Sequence, residues 1–229
     1  MGRRPDEVPL AGGVTSDVVR VGDTVRRRSN ATSPLVRDVL RRLERAGFDA
    51  APRWLGVDEQ GREVLSWIEG DTHTDRSRMH PYVGDPPTRV TFSTEQVAAA
   101  LRLLRRYHDA FGEEVVCHGD FGPWNLVWRD GLPVGVIDFD DVHPGDASED
   151  VAYALRMFVG YGFAADPAPE LVRRTHAALD AYGVTFDVPT ILAREYESAE
   201  ARCRRNGWDR QLARLPVERA WLEANRGRF

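Results

Sequence analysis

Apolar and polar positions alternate along the first 70 residues in short runs that predict β-strands. Residues 16–28 form two such runs around Gly22-Asp23, and residues 52–70 form two more around residues 58–61. Glycine and aspartate between apolar runs favour tight hairpin turns. The pattern therefore predicts two β-hairpins in this part of the chain.

Between these hairpins, residues 33–47 have the spacing of an amphipathic helix. Ser33 and Pro34 are typical of a helix start, and Gly47 is typical of a helix end. The apolar side chains expected to share one helical face are Leu35, Val39, Leu40 and Leu43. The order up to residue 70 is then strand, strand, helix, strand, strand.

Longer apolar periods after residue 93 predict a helical second half. Residues 71–93 are rich in Pro, Asp, Thr and His and predict a loop or linker. Ser93 and Gln96 have the spacing of a capping box at the start of a strong helix. Further amphipathic helices are predicted at residues 147–161, 169–182, 189–206 and 209–226. The fold class is therefore α+β.

One hairpin pattern, at residues 115–141, carries an unusual number of polar side chains. Its short apolar runs flank Asp130-Gly131, which is a strong turn signal. The polar residues in its loops are His118, Asp120, Asn125, Asp138, Asp140 and Asp141. Buried strands normally avoid that many carboxylates, so this segment is the candidate for chemistry.

The Asp-Gly turn predicts how these side chains meet. With a two-residue turn, Asn125 would pair with Val136, and Asp138 would follow at the same end of the hairpin. An amide oxygen and a carboxylate are ligands that suit Mg²⁺, which substrate phosphates usually complete. Asp120 enters the same end on the preceding loop, where one carboxylate can accept a proton while another holds metal.

Composition narrows the class of protein. The net charge of −5 argues against a nucleic-acid binder. No apolar run reaches the roughly 20 residues of a membrane span, and the N-terminus lacks the apolar region of a signal peptide. The two cysteines, Cys117 and Cys203, suggest a reducing compartment, so a cytoplasmic location is expected. All 31 basic residues are arginine, so any role usually given to lysine falls to arginine.

The segments HGDFGPWN (residues 118–125) and IDFD (residues 137–140) resemble the catalytic loop and metal-binding segment of one enzyme group. This group is the aminoglycoside phosphotransferase and choline kinase-like families, which share the protein-kinase fold. Kinase catalytic loops also place an asparagine five residues after an aspartate. The resemblance implies a two-lobed fold, with a small β-rich N-lobe at residues 1–70 and a helical C-lobe at residues 71–229.

The resemblance also implies roles for individual residues, with ATP and Mg²⁺ as cofactors. Asp120 would be the catalytic base, Asn125 and Asp138 would hold Mg²⁺, and His118 and Asp150 would support the catalytic loop. The residues expected to bind the nucleotide are Gly12, Gly13 and Ser16 of the phosphate-covering loop, Arg26 of the following strands, and Ser66, Trp67 and Ile68 of the hinge.

Two positions depart from the family pattern. Kinases pair a strand lysine with a helix glutamate to hold the phosphates of ATP. Here the strand position is predicted to be Arg26, and the helix position falls on Val36. Arginine binds phosphate as a planar fork rather than as a point charge. The phosphate clamp therefore differs from the family pattern, while the base and metal positions are intact.

Three functions compete at this point. The leading hypothesis is a Mg·ATP-dependent phosphotransferase acting on a hydroxyl of a small molecule, similar to an aminoglycoside or an amino alcohol. The second is a non-catalytic, pseudokinase-like binding protein, similar to immunity factors for the peptide trifolitoxin. The third is a kinase of a peptide or protein serine. Asp140 and Asp141 are solvated in one interpretation and bind a substrate in the other.

Overall fold

The computed structural model describes residues 7–10, 18–72, 92–164 and 166–229. The N-terminal part is an antiparallel sheet with the strand order β1-β2-β3-β5-β4. Its strands are β1 (Val8–Pro9), β2 (Val19–Val21), β3 (Thr24–Arg28), β4 (Trp54–Val57) and β5 (Arg62–Ser66). Both predicted hairpins are present, because β2 pairs with β3 and β4 pairs with β5.

Helix α1 (Ser33–Arg45) lies between β3 and β4 in the chain and buries a narrow apolar stripe. The buried apolar residues are Val36, Val39, Leu40 and Leu43, at the spacing of one helical face. Leu35, which was predicted on this face, is 47% exposed, and Val36 takes its place. Because Val36 packs in the core, this position does not present a polar partner to the strand arginines.

Helices dominate the C-terminal part. They are α2 (Thr94–Asp109), α3 (Ala147–Val159), α4 (Ala168–Tyr182), α5 (Val188–Asn206), α6 (Asp209–Leu212) and α7 (Leu215–Asn225). The capping box between Ser93 and Gln96 is present at the start of α2. The last predicted helix is divided in two, because Pro216 lacks the N–H that a continuous helix would need there and favours a new helix start.

Two small sheets lie between these helices and hold the polar loops. One contains β6 (Asp71–Thr72), β8 (Leu126–Arg129) and β9 (Leu132–Val136), and the other pairs β7 (Val116–Cys117) with β10 (His143–Pro144). The predicted β8–β9 hairpin is present, but Val136 pairs with Leu126 rather than with Asn125. The register shifts between Val127 and Trp128, which moves Asn125 out of the strand and into a 3₁₀ turn.

A buried ion network joins three of the C-terminal helices. Arg156 of α3 donates to Glu195 of α5 at 3.0 Å and to Glu218 of α7 at 2.8 Å. Arg202 adds a second guanidinium on Glu195 at 2.6 Å. Among the described contacts, each of the two glutamates accepts from a guanidinium, as buried carboxylates require. None of the helices in the described ranges is both long and apolar enough to cross a membrane.

Candidate active site

Asp120 lies at the end of a tight turn that follows β7. Gly119 has a φ of 80°, and a Cβ at this position would overlap the carbonyl oxygen of Asp141. Only glycine adopts such a φ without cost and also leaves room for the neighbouring backbone. The turn therefore brings the loop of Asp120 into close contact with Asp141, which follows the predicted metal ligand Asp138.

Three side chains hold the carboxylate of Asp120. The amide nitrogen of Asn125 donates to Oδ2 at 2.7 Å and to the backbone oxygen of Asp120 at 2.9 Å. The indole of Trp124 donates to Oδ2 at 3.1 Å, and the phenol of Tyr153 donates to Oδ1. These donors fix the orientation of the carboxylate. The sequence pattern did not reveal Tyr153, which reaches Asp120 from helix α3.

The phenol of Tyr153 is itself held in a buried setting. Burial raises its pKa well above its usual value, and the negative charge of Asp120 raises it further. The guanidinium of Arg202 lies over its ring, 5.4 Å from the centroid. Tyr153 therefore stays a neutral hydrogen-bond donor to Asp120 at any ordinary pH.

The backbones of Asn125 and Ile137 meet at the end of the β8–β9 hairpin, and shared metal binding by Asn125 and Asp138 stays a prediction. The backbone N–H of Ile137 donates to the backbone oxygen of Asn125 at 2.9 Å. Asp138 follows with a φ of 64°, a left-handed conformation that is uncommon outside glycine. Because Asp120 engages the amide nitrogen of Asn125, the Oδ1 atom of Asn125 is the one left for a cation.

Negative charge accumulates around Asp138. Desolvation raises its pKa, and the charges of Asp140 and Asp120 raise it further, although the residue keeps contact with solvent. A divalent cation at this point would relieve the repulsion, and the donors offered are oxygen atoms, as Mg²⁺ prefers. The residues present therefore fit a magnesium site.

Asp150 stabilises the loop of His118, Gly119 and Asp120 through hydrogen bonds to its backbone. Asp150 accepts hydrogen bonds from the backbone N–H groups of His118 and Gly119, at 2.6 and 2.9 Å, and from His108 at 3.0 Å. Burial alone would raise the pKa of Asp150, but these donors hold it below its usual value. Asp150 does not cap α3, because that position belongs to Asp146.

Arg26, the strand arginine predicted to bind the nucleotide, has polar neighbours in the N-terminal part of the chain. Arg26 points toward Thr24, which it contacts at 2.5 Å, and lies 3.7 Å from Asp58. Successive side chains of a strand point to opposite faces. The neighbouring Arg27 therefore occupies the other face of β3.

Arg27 is the strand arginine that reaches the metal-binding segment. Its Nε donates to Glu63 of β5 at 2.8 Å, and its Nη1 donates to Asp140 at 2.9 Å. Glu63 is buried, so a strand glutamate supplies the partner that the family pattern places on the helix. The Nη2 atom of Arg27 is buried and has no hydrogen-bond partner among the described residues.

Asp140 contacts the N-terminal part of the chain, and its predicted contact with a substrate stays a prediction. Besides Arg27, its carboxylate accepts hydrogen bonds from Asn30 at 3.1 Å and from Thr32 at 3.2 Å. Asp141 is exposed, and desolvation together with the charge of Asp120 raises its pKa. Its predicted contact with a substrate stays a prediction.

The hinge predicted at residues 66–68 connects β5 to β6. Trp67 donates its backbone N–H to Asp23 at 2.9 Å, and the Ser66 hydroxyl accepts from the backbone of Arg53 at 2.8 Å. The side chain of Ile68 packs so closely on Gly135 that a Cβ there would lie 3.0 Å from it. The other predicted nucleotide contacts, Gly12, Gly13 and Ser16, lie outside the described residues.

A cavity of about 320 Å³ opens beside the catalytic loop, between helices α3 and α5. Residues of both charges line it. They include Gly119, His143, Glu149, Tyr153, Arg194 and Arg202. Because Tyr153 and Gly119 also contact the loop of Asp120, this cavity is the candidate acceptor site.

Comparisons with known proteins place this arrangement in context. Residues 87–185 match the phosphotransferase enzyme family. Over 172 residues the chain is 36% identical to the trifolitoxin immunity protein of Rhizobium leguminosarum bv. trifolii. That match covers 65% of this chain and 60% of the relative, so the chain spans less than two thirds of the relative's length.

Solved structures share the fold at low sequence identity. The streptomycin-ATP-APH(2")-IIa ternary complex is 14% identical, covers 92% of both chains and has a TM-score of 0.54. Macrolide 2'-phosphotransferase MphH from Brachybacterium faecium is 13% identical, covers 88% of this chain and 87% of its own, and has a TM-score of 0.51. The predicted kinase-like fold and the resemblance to aminoglycoside phosphotransferases are confirmed.

Proposed function

From the resemblance to the phosphotransferase enzyme family, we propose that this protein transfers the γ-phosphate of ATP to a hydroxyl of a small molecule. The observation that carries the proposal is the hydrogen-bonded pair of Asp120 and Asn125, held at 2.7 Å beside Asp138. This is the combination of a proton acceptor and oxygen ligands that phosphoryl transfer to an alcohol needs.

Asp120 is the proposed base. Its carboxylate accepts the proton of the acceptor hydroxyl and orients the attacking oxygen toward the phosphate. Tyr153 and Asn125 each donate to one carboxylate oxygen, so rotation of the side chain is restricted. Holding a nucleophile and its base in line contributes much of the rate in reactions of this kind.

Asn125 and Asp138 hold the metal in this proposal. Bound Mg²⁺ would neutralise charge on the β- and γ-phosphates. Arg27 provides a further positive charge next to the metal-binding segment, because its Nη1 contacts Asp140 at 2.9 Å. The phosphate-binding role predicted for Arg26 is therefore given to Arg27.

The acceptor enters through the cavity between α3 and α5. Its walls combine Glu149 with Arg194 and Arg202, so a hydroxylated molecule that carries a charged amino group or a carboxylate would find a partner there. Aminoglycosides and amino alcohols belong to this class.

The test is an incubation of the purified chain with Mg·ATP and a panel of hydroxylated small molecules, followed by mass spectrometry. We expect a mass increase of one phosphate on at least one compound, and no increase with Asp120→Asn. ATP binding without transfer to any compound, with identical behaviour of wild type and Asp120→Asn, would contradict the proposal.

Immunity is the second candidate, and the 36% identity to the trifolitoxin immunity protein favours it. The two functions are compatible if immunity depends on phosphorylation. Expression of wild type and Asp120→Asn in sensitive cells exposed to trifolitoxin separates the cases. Protection by both chains indicates a binding protein, whereas protection by the wild type alone indicates an enzyme.

A further inference from the structure

Three metal-binding side chains meet outside the base and magnesium positions. They are Cys117, His143 and Glu149, and one ligand atom of each lies within 4.8 Å of the other two. The fold brings them together for definite reasons. Cys117 pairs directly with His143 across the β7–β10 ladder, and Glu149 lies in the first turn of α3.

The hydrogen bonds of His143 direct its Nε2 into this cluster. Its Nδ1 contacts the backbone oxygen of Asp141 at 2.9 Å, which only an N–H can satisfy. Its Nε2 lies 3.4 Å from Glu149 Oε2, a contact that a proton on the ring satisfies in the free chain. When that proton is absent, Nε2 offers a lone pair beside the carboxylate, and a metal ion can take the place of the bridging proton. A backbone carbonyl on the second ring nitrogen is also the usual support of a metal-binding histidine.

Cys117 completes the cluster from the buried side. Its side chain is fully buried, and its sulfur lies 3.4 Å from the backbone oxygen of Asp146. Cysteine binds a metal ion as the thiolate, so a cation bound here would replace the thiol proton and would also compensate the charge of Glu149.

Gly145 leaves the space between two of the ligands open. A Cβ at this position would lie 2.8 Å from the sulfur of Cys117 and 2.8 Å from Oε1 of Glu149. Any larger residue would therefore push these atoms apart or fill the gap. Glycine at position 145 therefore leaves room for an ion between Cys117 and Glu149.

We propose that Cys117, His143 and Glu149 form a binding site for one Zn²⁺ ion. Zn²⁺ takes a thiolate, an imidazole and a carboxylate in tetrahedral sites, whereas Mg²⁺ avoids sulfur. The site is thus chemically distinct from the one at Asn125 and Asp138. His143 and Glu149 also line the cavity beside Asp120, so the fourth position of the ion faces the candidate acceptor site.

The test is metal binding by the purified full chain, measured without any activity assay. The chain is stripped with a chelator and titrated with Zn²⁺ against a coloured competing chelator, in millimolar Mg²⁺. We expect one Zn²⁺ per chain, and Co²⁺ in its place should give a thiolate-to-metal charge-transfer band. Cys117→Ser should remove the band, and His143→Ala should weaken binding by more than the roughly 10- to 100-fold lost with an outer partner.

Variants at residues outside the cluster serve as controls for the zinc titration. Cys203→Ser changes the other free buried cysteine, and His176→Ala changes a histidine elsewhere, so both should bind zinc as the wild type does. Glu149→Gln retains an oxygen for the backbone N–H of Asp146 and tests the carboxylate alone. The proposal is overturned if no charge-transfer band forms. It is equally overturned if folded His143→Ala keeps full affinity, or if Asp138→Asn abolishes zinc binding while Cys117→Ser does not.

Discussion

The guanidinium of Arg27 contacts the carboxylate of Asp140 at 2.9 Å, across 113 residues of sequence. This ion pair connects strand β3 of the N-lobe to the loop that follows Asp138. It combines with the bond from Arg27 to Glu63 to replace the strand–helix pair of the family pattern. Arg27, which is proposed to bind the phosphates of the nucleotide, therefore also connects the N-terminal sheet to the loop of Asp140.

Arg27→Ala should weaken nucleotide binding and transfer by about 10- to 100-fold, because hydrogen bonds to charged groups contribute about 1.5–3 kcal/mol. Arg26→Ala is the matched control, since Arg26 lies on the opposite face of β3, and it should have little effect. Calorimetry with Mg·ATP measures the affinity. Arg27→Lys is measured beside the alanine variants, because it retains a positive charge near the buried Glu63. Equal losses in the alanine variants of Arg26 and Arg27 would refute the assignment.

Asp120→Asn should reduce transfer by roughly 100-fold or more while nucleotide affinity stays nearly constant. The amide has the shape of the carboxylate but cannot accept the hydroxyl proton. Single-turnover measurements of product formation, beside calorimetry, separate the two effects. Undiminished turnover in this variant would remove Asp120 from the mechanism.

Asp138→Ala should abolish the strengthening of nucleotide binding by Mg²⁺. The carboxylate supplies the negative charge that the protein offers to the ion, because Asn125 contributes only a neutral oxygen. Nucleotide titrations with and without Mg²⁺ give the comparison, and Asp141→Ala serves as the control at an exposed carboxylate nearby. If Mg²⁺ strengthens binding to Asp138→Ala as much as to wild type, the metal assignment is wrong.

Tyr153→Phe should lower the turnover number by about tenfold and leave the Michaelis constant for ATP nearly unchanged. The phenol orients Asp120 and does not contact the proposed metal ligands. One hydrogen bond to a charged group has about this effect. Tyr161→Phe, which loses a buried bond to Thr175 far from the loop, is the control for general destabilisation. Equal effects of the two variants on turnover would indicate that Tyr153 has only a structural role.

Asp150 predicts a dependence of stability on pH. Its pKa is lower in the folded chain than in the unfolded chain, so its contribution is present above about pH 4, the unfolded value, and is lost as pH falls through the folded value. Asp150→Asn should therefore unfold at lower temperature than wild type at pH 7, with a smaller difference at pH 3. Asp180→Asn, at an exposed site, should behave like the wild type at both pH values.

Local sequence signals predicted the hairpins and the helix starts, because each depends on neighbours in the chain. These signals did not distinguish Arg26 from Arg27 as the arginine that borders the metal-binding segment. A change of one residue moves a side chain to the other face of a strand, and the sequence does not mark which face of β3 borders the cleft. The pairing of Asn125 failed for a related reason, since the register shift near Val127 leaves no signal in the sequence.

Tyr153 was missed because its role arises from packing between distant elements. It lies three residues after Asp150, on an ordinary turn of α3, and no spacing distinguishes it from a core tyrosine. The same holds for Glu63, which replaces the expected helix glutamate from a strand. Contacts of this kind depend on how helices and strands pack against each other, and only the three-dimensional structure reveals them.

The network around Arg156 gives the C-terminal helix an influence on a distant loop. A chain shortened before Glu218 would keep Arg156 and lose the carboxylate that its Nε contacts at 2.8 Å. Arg156 lies on α3 one turn after Tyr153, which contacts Asp120. Loss of the final helix by a premature stop codon would therefore be felt at the loop of Asp120 through α3.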